Sequence, residues 1–565
     1  MKLLYTFIFI FLGFCTMTNA QSLLWAKSIG GANNDDGRSV AFDAIGNVYT
    51  TGSFNGTVDF DPGAGIFNLT SAGDADVYIT KLDPTGSFLW AKSMGGTTID
   101  VGYAITVDAS GNIYTTGTFQ GSADFDPGIG TSILTMAGGY DIFISKLDLN
   151  GDFLWAKAMG GSTVDFSYAI AVDISGNIYT TGYFQGTADF DPGASTYNLT
   201  SAGLSDIFIS KLDYLGNFVW AGAMGGPNND YGRSLTIDPN GDVFTTGSFE
   251  DTADFDPGVG TSTLISTGLK TIFVSKINTA GNFVWVKAMG GTINNQGYGI
   301  ALDQNGNILT TGSFDGTVDF DPGAGIVDLT SQGNLDIFIS KLDPSGNLLW
   351  AKSMGGISSD EGFSIAADIG GNVCLTGYFK GTADFDPGAS TFNLNSSGQL
   401  DMFVAKLDPL GNFLWAKAMG GANYEEGLSI KVDAGGNIYA TGDFNGTADF
   451  DPDAGILNLS PIGGFDMFTL KLNGLTGFED VSQSSSSVVY PNPSNGIIHF
   501  SNFQYPNGLS HIEIYNSLGE IIFSQIPDSN ADQMTVDLSN QPTGIYFATI
   551  QNGEEIIYKK IIIAK

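Results

Sequence analysis

Aspartates set two residues apart recur along this chain: Asp59 with Asp61, Asp124 with Asp126, Asp189 with Asp191, Asp254 with Asp256, Asp319 with Asp321, Asp384 with Asp386 and Asp449 with Asp451. On an extended segment, side chains at i and i+2 leave on the same side. Two carboxylates so placed, with backbone carbonyls beside them, offer the clustered oxygens that a hard cation such as calcium takes. In the last copy Asp449, Asp451 and Asp453 with Gly455 reproduce the start of an EF-type loop, although Ser460 stands where that loop carries its bidentate glutamate. The competing role is a corner. In Asp-Phe-Asp-Pro the phenylalanine packs inward and the Asp-Pro-Gly that follows makes a β-turn. We read the motif first as a turn and keep calcium as the candidate cofactor.

Other chemistry is scarcer. Both histidines, His499 and His511, lie in the C-terminal segment, which removes the usual general base and the commonest metal ligand from the rest. Of the two cysteines, Cys15 falls in the N-terminal leader described below; Cys374 shares its register with Tyr49, Tyr114, Tyr179, Phe244, Leu309 and Tyr439, so a buried, inert thiol is expected. Zinc sites built on cysteine are excluded. A catalytic acid or base would be Asp or Glu, and glycosidase-type chemistry wants one pair in unlike environments. Here the acids come in sevenfold sets, and we assign no catalytic residue. A polysaccharide hydrolase or lyase, the alternative, would place its site where the copies differ: Glu250 with Asp251, Lys270 with Thr271, and Arg38 with Arg233, the only arginines.

The elements that position these groups follow from spacing. The first Asp of the motif returns every 65 residues without insertion, and Trp25, Trp90, Trp155, Trp220, Trp285, Trp350 and Trp415 keep the same step. One structural unit is repeated. In the second copy "YAITVD", "IYTTGTF", "DIFISKLD" and "FLWAKAM" are strand patterns separated by turn residues, with no helical period. Both faces of such strands are apolar, as in a sheet covered on both sides by neighbours. Four strands per unit and seven units fit a seven-bladed β-propeller. The array opens on the fourth-strand pattern "LLWAKSIGG" and ends on the third-strand pattern "DMFTLKL", so the N-terminal strand is expected to complete the last blade and remove two free edges.

Two further acidic sets follow the register. Asp43, Asp108, Asp173, Asp238, Asp303, Asp368 and Asp433 open the hairpin turn, where an Asp side chain bonds backbone amides. Asp35, Asp100, Asp165, Asp230, Asn295, Asp360 and Glu425 follow the Gly-Gly that ends the Trp strand, and their drift in charge and length points to a loop facing solvent or lining one mouth of the ring.

"DASGNIYTTG" (Asp108 to Gly117) followed by "DIFISKLDLNGDFLW" (Asp141 to Trp155) resembles the bacterial β-propeller repeat called SBBP, over residues 21–473. The resemblance implies a propeller on a secreted or surface protein and transfers no enzymatic activity. Residues 474–487 form a serine-rich linker, and 488–565 carry the strand patterns of a small β-sandwich. There "YPNP" (Tyr490 to Pro493), "IYNSLGE" (Ile514 to Glu520), "LSNQPTGIY" (Leu538 to Tyr546) and the terminal "KKIIIAK" resemble the C-terminal sorting domain of the type IX secretion system of Bacteroidetes. That family implies export through the type IX machinery as partner. At the other end, residues 1–20 have a basic start, the apolar run Leu3 to Phe14 and a small residue at Ala20, and read as a secretory signal peptide too short to span a membrane.

The balance of 59 acidic against 22 basic residues, a net charge of −37, repels phosphate backbones and anionic membranes, which excludes nucleic acid as a partner class. The expectation is a non-catalytic binding or adhesion scaffold, secreted or on the outer surface of a Gram-negative bacterium, with carbohydrate or a surface protein as ligand. A structural surface-layer component is the third reading.

Overall fold

The computed structural model describes residues 22–453, 455–474, 488–490, 494–501, 510–516, 521–525, 533–542, 544–552 and 555–563. The leader (1–20) and most of the linker (474–487) lie outside the described residues. The described strands fall into two units, 22–474 and the C-terminal segment, and no helix among them is long and apolar enough to cross a membrane.

After β1 (Leu23–Gly31), the first repeat is an antiparallel meander of β2 (Asp36–Phe42), β3 (Val48–Asp59), β4 (Asn68–Leu82) and β5 (Phe88–Gly96). The β2–β3 turn forms as its residues dictate. Asp43 Oδ1 accepts N–H bonds from Ile45 and Asn47, its Oδ2 accepts from the Asn47 amide and the Tyr49 hydroxyl, and Gly46 takes a φ of 87°. The same pairing of four strands recurs through the following repeats. Strand Asp466–Leu472, third in the last repeat, pairs antiparallel with β1 from Leu23↔Leu472 to Ile29↔Met467.

The first strand of each repeat contacts the first strand of the next, and that of the last, Tyr424–Val432, contacts β2, so the order of contact is cyclic. The core lies in the seams between successive repeats, as where Ile337, Ile339 and Met354 of one pack on Phe379, Phe385 and Phe403 of the next. Tryptophans bridge these seams: Trp25 Nε1 donates to the Pro84 carbonyl at 3.1 Å and Trp350 Nε1 to that of Pro409 at 3.1 Å.

The Asp-Phe-Asp-Pro corner is a second bridge. Gly30 and Gly31 at the end of β1 pair with Asp59 and Val58 of β3, and equivalent Gly-Gly ends pair with Asp124, Asp189, Asp319, Asp384 and Asp449. A Cβ on Gly96 would stand 2.3 Å from the Ser122 carbonyl, so only glycine admits this approach. Phe60 is fully buried against Phe54 and Tyr78.

In the C-terminal unit Val488–Tyr490, Ile497–Ser501 and Gln533–Asp537 form one antiparallel sheet, and Ile521–Gln525, Ser510–Tyr515, Gly544–Asn552 and Glu555–Ile563 another. The two share a core that includes Phe500, Ile512, Val536 and Ala548.

Candidate functional site at the channel mouth

Each first strand carries a β-bulge at the same place, between Gly37 and Ser39 in β2 and between Gly102 and Ala104, Ser167 and Ala169, Gly232 and Ser234, Gly297 and Gly299, Gly362 and Ser364, and Gly427 and Ser429 thereafter. A bulge leaves one residue out of the ladder and re-aims its side chain. The residues so released are Arg38, Tyr103, Tyr168, Arg233, Tyr298, Phe363 and Leu428, and all line one central cavity of about 520 Å³. Deeper in, the wall is small or aliphatic, with Ala104, Ala169, Gly299 and Ile365, and Lys431 projects where the equivalent residues are alanine or threonine.

The mouth is uneven. On one side Tyr103, Phe166, Tyr168 and Tyr183 form a continuous aromatic cluster, with Phe166 stacked on Tyr183 at 5.3 Å and Tyr183 edge-on to Tyr231 at 5.1 Å. Arg233 sits over Tyr168 and Tyr231, at 4.8 and 5.1 Å from the ring centres, and Lys270 lies 5.4 Å from Tyr231. The other side is acidic. Asp36 takes Arg38 through Oδ2 at 2.6 Å and accepts the Ser53 amide and hydroxyl through Oδ1, each at 2.8 Å. Glu361 accepts the Tyr378 hydroxyl at 2.7 Å. Burial pushes the Asp443 carboxyl up to about 7 against the pull of Arg38, with Asp36 and Glu426 adding to the rise. Glu426 is raised for the same first reason. Arg233 Nε and Asp443 Oδ1 are buried with no hydrogen-bond partner among the described residues, a state that costs about 1–3 kcal/mol per group.

The residues singled out in the sequence fare differently. Arg38, Arg233 and Lys270 meet at this mouth, and Glu250 acts electrostatically on Lys270 and Tyr231. Asp251 has a φ of 54° where six copies place glycine, and belongs to a turn. The set at Asp35, expected on a solvent-facing loop or lining a mouth, is instead fully buried in the seams, because its carboxylates accept backbone amides there. The aromatic members of the mouth, with Glu361, Glu426 and Asp443, were missed. Their signal was available in three columns of the repeat where the copies differ in charge and ring content: the bulge residue itself, the position two before it (Asp36, Phe166, Tyr231, Glu361, Glu426) and the position of Ser53, Tyr183, Tyr378 and Asp443.

The Asp-Phe-Asp-Pro carboxylates serve their own turns. Asp59 Oδ1 accepts from the amides of Asp61 and Phe67, and Asp61 Oδ1 from Gly63. Asp124, Asp189, Asp254, Asp319, Asp384 and Asp449 repeat the first arrangement. In the last copy Asp453 Oδ1 holds the Lys417 ammonium at 2.7 Å. Cys374 is buried and free, its thiol pushed up to about 12 by desolvation.

Comparison with known proteins identifies segments at both levels of the chain, its repeats and its tail. Residues 155–187 and 213–248 match the beta-propeller repeat SBBP, and residues 488–564 match the secretion system C-terminal sorting domain. The chain carries propeller repeats and a secretion-system sorting tail. The sorting domain, of the type IX system, marks it as a secreted or cell-surface protein. An uncharacterized WD repeat-containing protein of Acanthamoeba polyphaga mimivirus is 26% identical over 504 residues, 75% of this chain and 36% of that protein. The regulatory protein FlaEY of Caulobacter vibrioides is 28% identical over 128 residues, 22% of this chain and 13% of its own length. The chain thus spans 36% or less of these curated relatives. Among solved structures, the extracellular domain assigned to a hybrid two-component system of B. thetaiotaomicron is 12% identical over 94% of this chain and 87% of that one, at a TM-score of 0.15.

Proposed function

We propose that the repeats form a seven-bladed β-propeller, followed by a small C-terminal β-sandwich, and that the exported protein is a non-catalytic binding scaffold whose ligand seats at the channel mouth. The cyclic strand contacts and the β1 pairing support the ring. One observation carries the binding reading: the copies agree at structural positions and diverge where the bulges send their side chains into the channel, as Arg38, Tyr103, Tyr168, Arg233, Tyr298, Phe363 and Leu428. Aromatic faces beside guanidinium and carboxylate groups suit a carbohydrate or a surface protein displaying sugar rings and charged groups. The Asp-Phe-Asp-Pro corners enter as architecture. The test is binding of the full chain to a glycan array and to surface-protein fractions, with Tyr168→Ala and Arg233→Ala alongside. Retention of a ligand that ignores both substitutions would remove the mouth from the account.

A second reading has an observation of its own. Asp443 at about 7 stands beside Asp36, which is held by Arg38, and two carboxyl groups in unlike environments are what acid–base cleavage of a polysaccharide uses. Turnover of a polysaccharide panel that disappears in Asp443→Asn would establish it in place of the binder.

A further inference from the structure

Six seams between repeats bury two carboxyl groups face to face: Asp76 with Asp100, Asp141 with Asp165, Asp206 with Asp230, Asp336 with Asp360, Asp401 with Glu425, and Asp466 with Asp35. In five of the pairs the members play unequal parts, and in the sixth Glu425 takes the Gly421 amide through Oε2 while its Oε1, like one oxygen of Asp401, is buried without a partner. Asp100 spends both oxygens on backbone amides, Oδ2 on Gly96 at 2.7 Å and Oδ1 on Gln120 at 3.0 Å, as an ionised carboxylate does. Asp76 accepts the Ala72 amide through Oδ2 alone. Its Oδ1 is buried without a partner, and so is the Oδ1 of Asp141, Asp206, Asp336, Asp401 and Asp466. All six residues are at most 3% exposed. The two groups face one point: a Cβ on Gly95 would lie 2.5 Å from Asp76 Oδ1 and 3.0 Å from Asp100 Oδ2, and one on Gly225 would lie 2.8 Å from Asp206 Oδ1 and 2.9 Å from Asp230 Oδ2.

The remaining seam shows what belongs at that point. There both acids are replaced, by Thr271 and Asn295. Asn295 Oδ1 still accepts the Asp315 amide at 3.3 Å, as Asp100 Oδ1 accepts Gln120, so its Nδ2 stands where Asp100 has Oδ2. That nitrogen donates to the Lys270 carbonyl at 3.1 Å, and the Thr271 hydroxyl bonds Ser266 at 2.8 Å. An electropositive group thus faces the seam carbonyl where no acid remains. In the other six seams oxygens alone converge, and the pair must be neutralised from outside.

We propose that the six carboxyl pairs are hard-cation sites that close the seams of the ring, with calcium the ion whose charge matches two carboxylates. Oxygen ligands are what such an ion takes. Among the described residues no three acidic, histidine or cysteine side chains meet, so each site completes its shell with backbone oxygen, the candidate by register being the carbonyl before the first acid, that of Ala75 for Asp76, which also accepts the Asp100 amide at 2.7 Å. The candidate cation is therefore moved from the Asp-Phe-Asp-Pro corners to the seams.

Elemental analysis of the full chain equilibrated with calcium chloride and then desalted tests this, together with melting in calcium and in chelator. The expected result is about six ions per chain and a melting point that calcium raises and chelator lowers. Asp76→Asn removes one ion, while Asp61→Asn removes none. Should Asp76→Asn not fold, the double variant Thr271→Asp with Asn295→Asp rebuilds the missing pair and adds one ion. A metal-free protein whose melting ignores both calcium and chelator, with the infrared band of protonated carboxyl groups, would overturn the proposal and assign a shared proton to each pair. Ions lost in Asp61→Asn and kept in Asp76→Asn would overturn it in favour of the corners.

Discussion

The Arg233 guanidinium lies 4.8 Å from the centre of the Tyr168 ring, across the seam between two successive repeats. Both residues come from the same bulge column, so the contact exists only because two copies of one position diverged, one to a cation and one to an aromatic. The pair contributes about 1 kcal/mol to stability at this half-exposed site. Arg233→Ala is expected to leave the melting point nearly unchanged and to weaken whatever ligand the array identifies at least about tenfold, the loss of about 1.4 kcal/mol or more. Arg233→Lys, which keeps the charge and loses the planar fork, is expected to fall between. Titration calorimetry beside thermal melting reads both quantities.

The channel mouth also makes stability depend on pH. In the unfolded chain the Asp443 carboxyl titrates near 4, and in the folded chain burial pushes it up to about 7, against the pull of Arg38 and with Asp36 and Glu426 adding to the rise. Between those values the folded state holds more of this proton, so its contribution is complete at about pH 4 and is lost as pH rises toward 7. Urea unfolding at pH 5 and at pH 8 is expected to show a smaller fall in Asp443→Asn than in the parent. An equal fall in the two proteins would show that Asp443 does not titrate this way.

Cys374 supplies a probe of ring integrity. Its thiol is buried and raised to about 12, and the thiolate is the reactive form. With a chain beginning at Gln21, which lacks Cys15, Ellman's reagent at pH 8 is expected to find no reactive thiol in the native protein and one when it is unfolded. Rapid native labelling would mean that the strand Val373–Phe379 opens on the timescale of the assay.

The closing strand can be tested by charge. Ala26 is buried in the seam where β1 meets Asp466–Leu472, aligned with Leu470. Ala26→Asp places an unpaired carboxylate there, and is expected to cost about 3 kcal/mol or more and to expose two sheet edges. Light scattering should then show association that the parent lacks. The exposed Ser87→Asp, in the β4–β5 turn, serves as the control with little effect.

The repeat made the strands, the hairpin turns and the closing pair legible, because Asp43 and its equivalents act on residues two and four places away, within reach of a sequence pattern. The seam acids were harder. Asp35 bonds Gly31 four residues before it and Asn55 twenty residues after it, and nothing in its neighbourhood separates an acid buried by those amides from one facing water. Its changes to Asn295 and Glu425 suggested tolerance, yet Asn295 is matched by Thr271, 24 residues earlier on the facing strand, so the drift is a paired exchange. The channel residues hide for another reason. A bulge shifts the alternation by one, so Tyr168 and Arg233 stand in strands whose pattern assigns them to the sheet faces rather than to the axis.

The pairing of Leu23 with Leu472 has a consequence in time. The strand made first in this part of the chain finds its place only beside one of the last, so the seam cannot form while the polypeptide is still emerging. Loop closure over that distance adds an entropic cost to the folding barrier that the local hairpins, each formed over tens of residues, do not meet. Until then Leu23–Gly31 and Asp466–Leu472 each offer an unsatisfied edge, and the incomplete ring is open to pairing with a second copy of itself. Completion is therefore a single late event that takes place only where the whole length of the repeats is available at once.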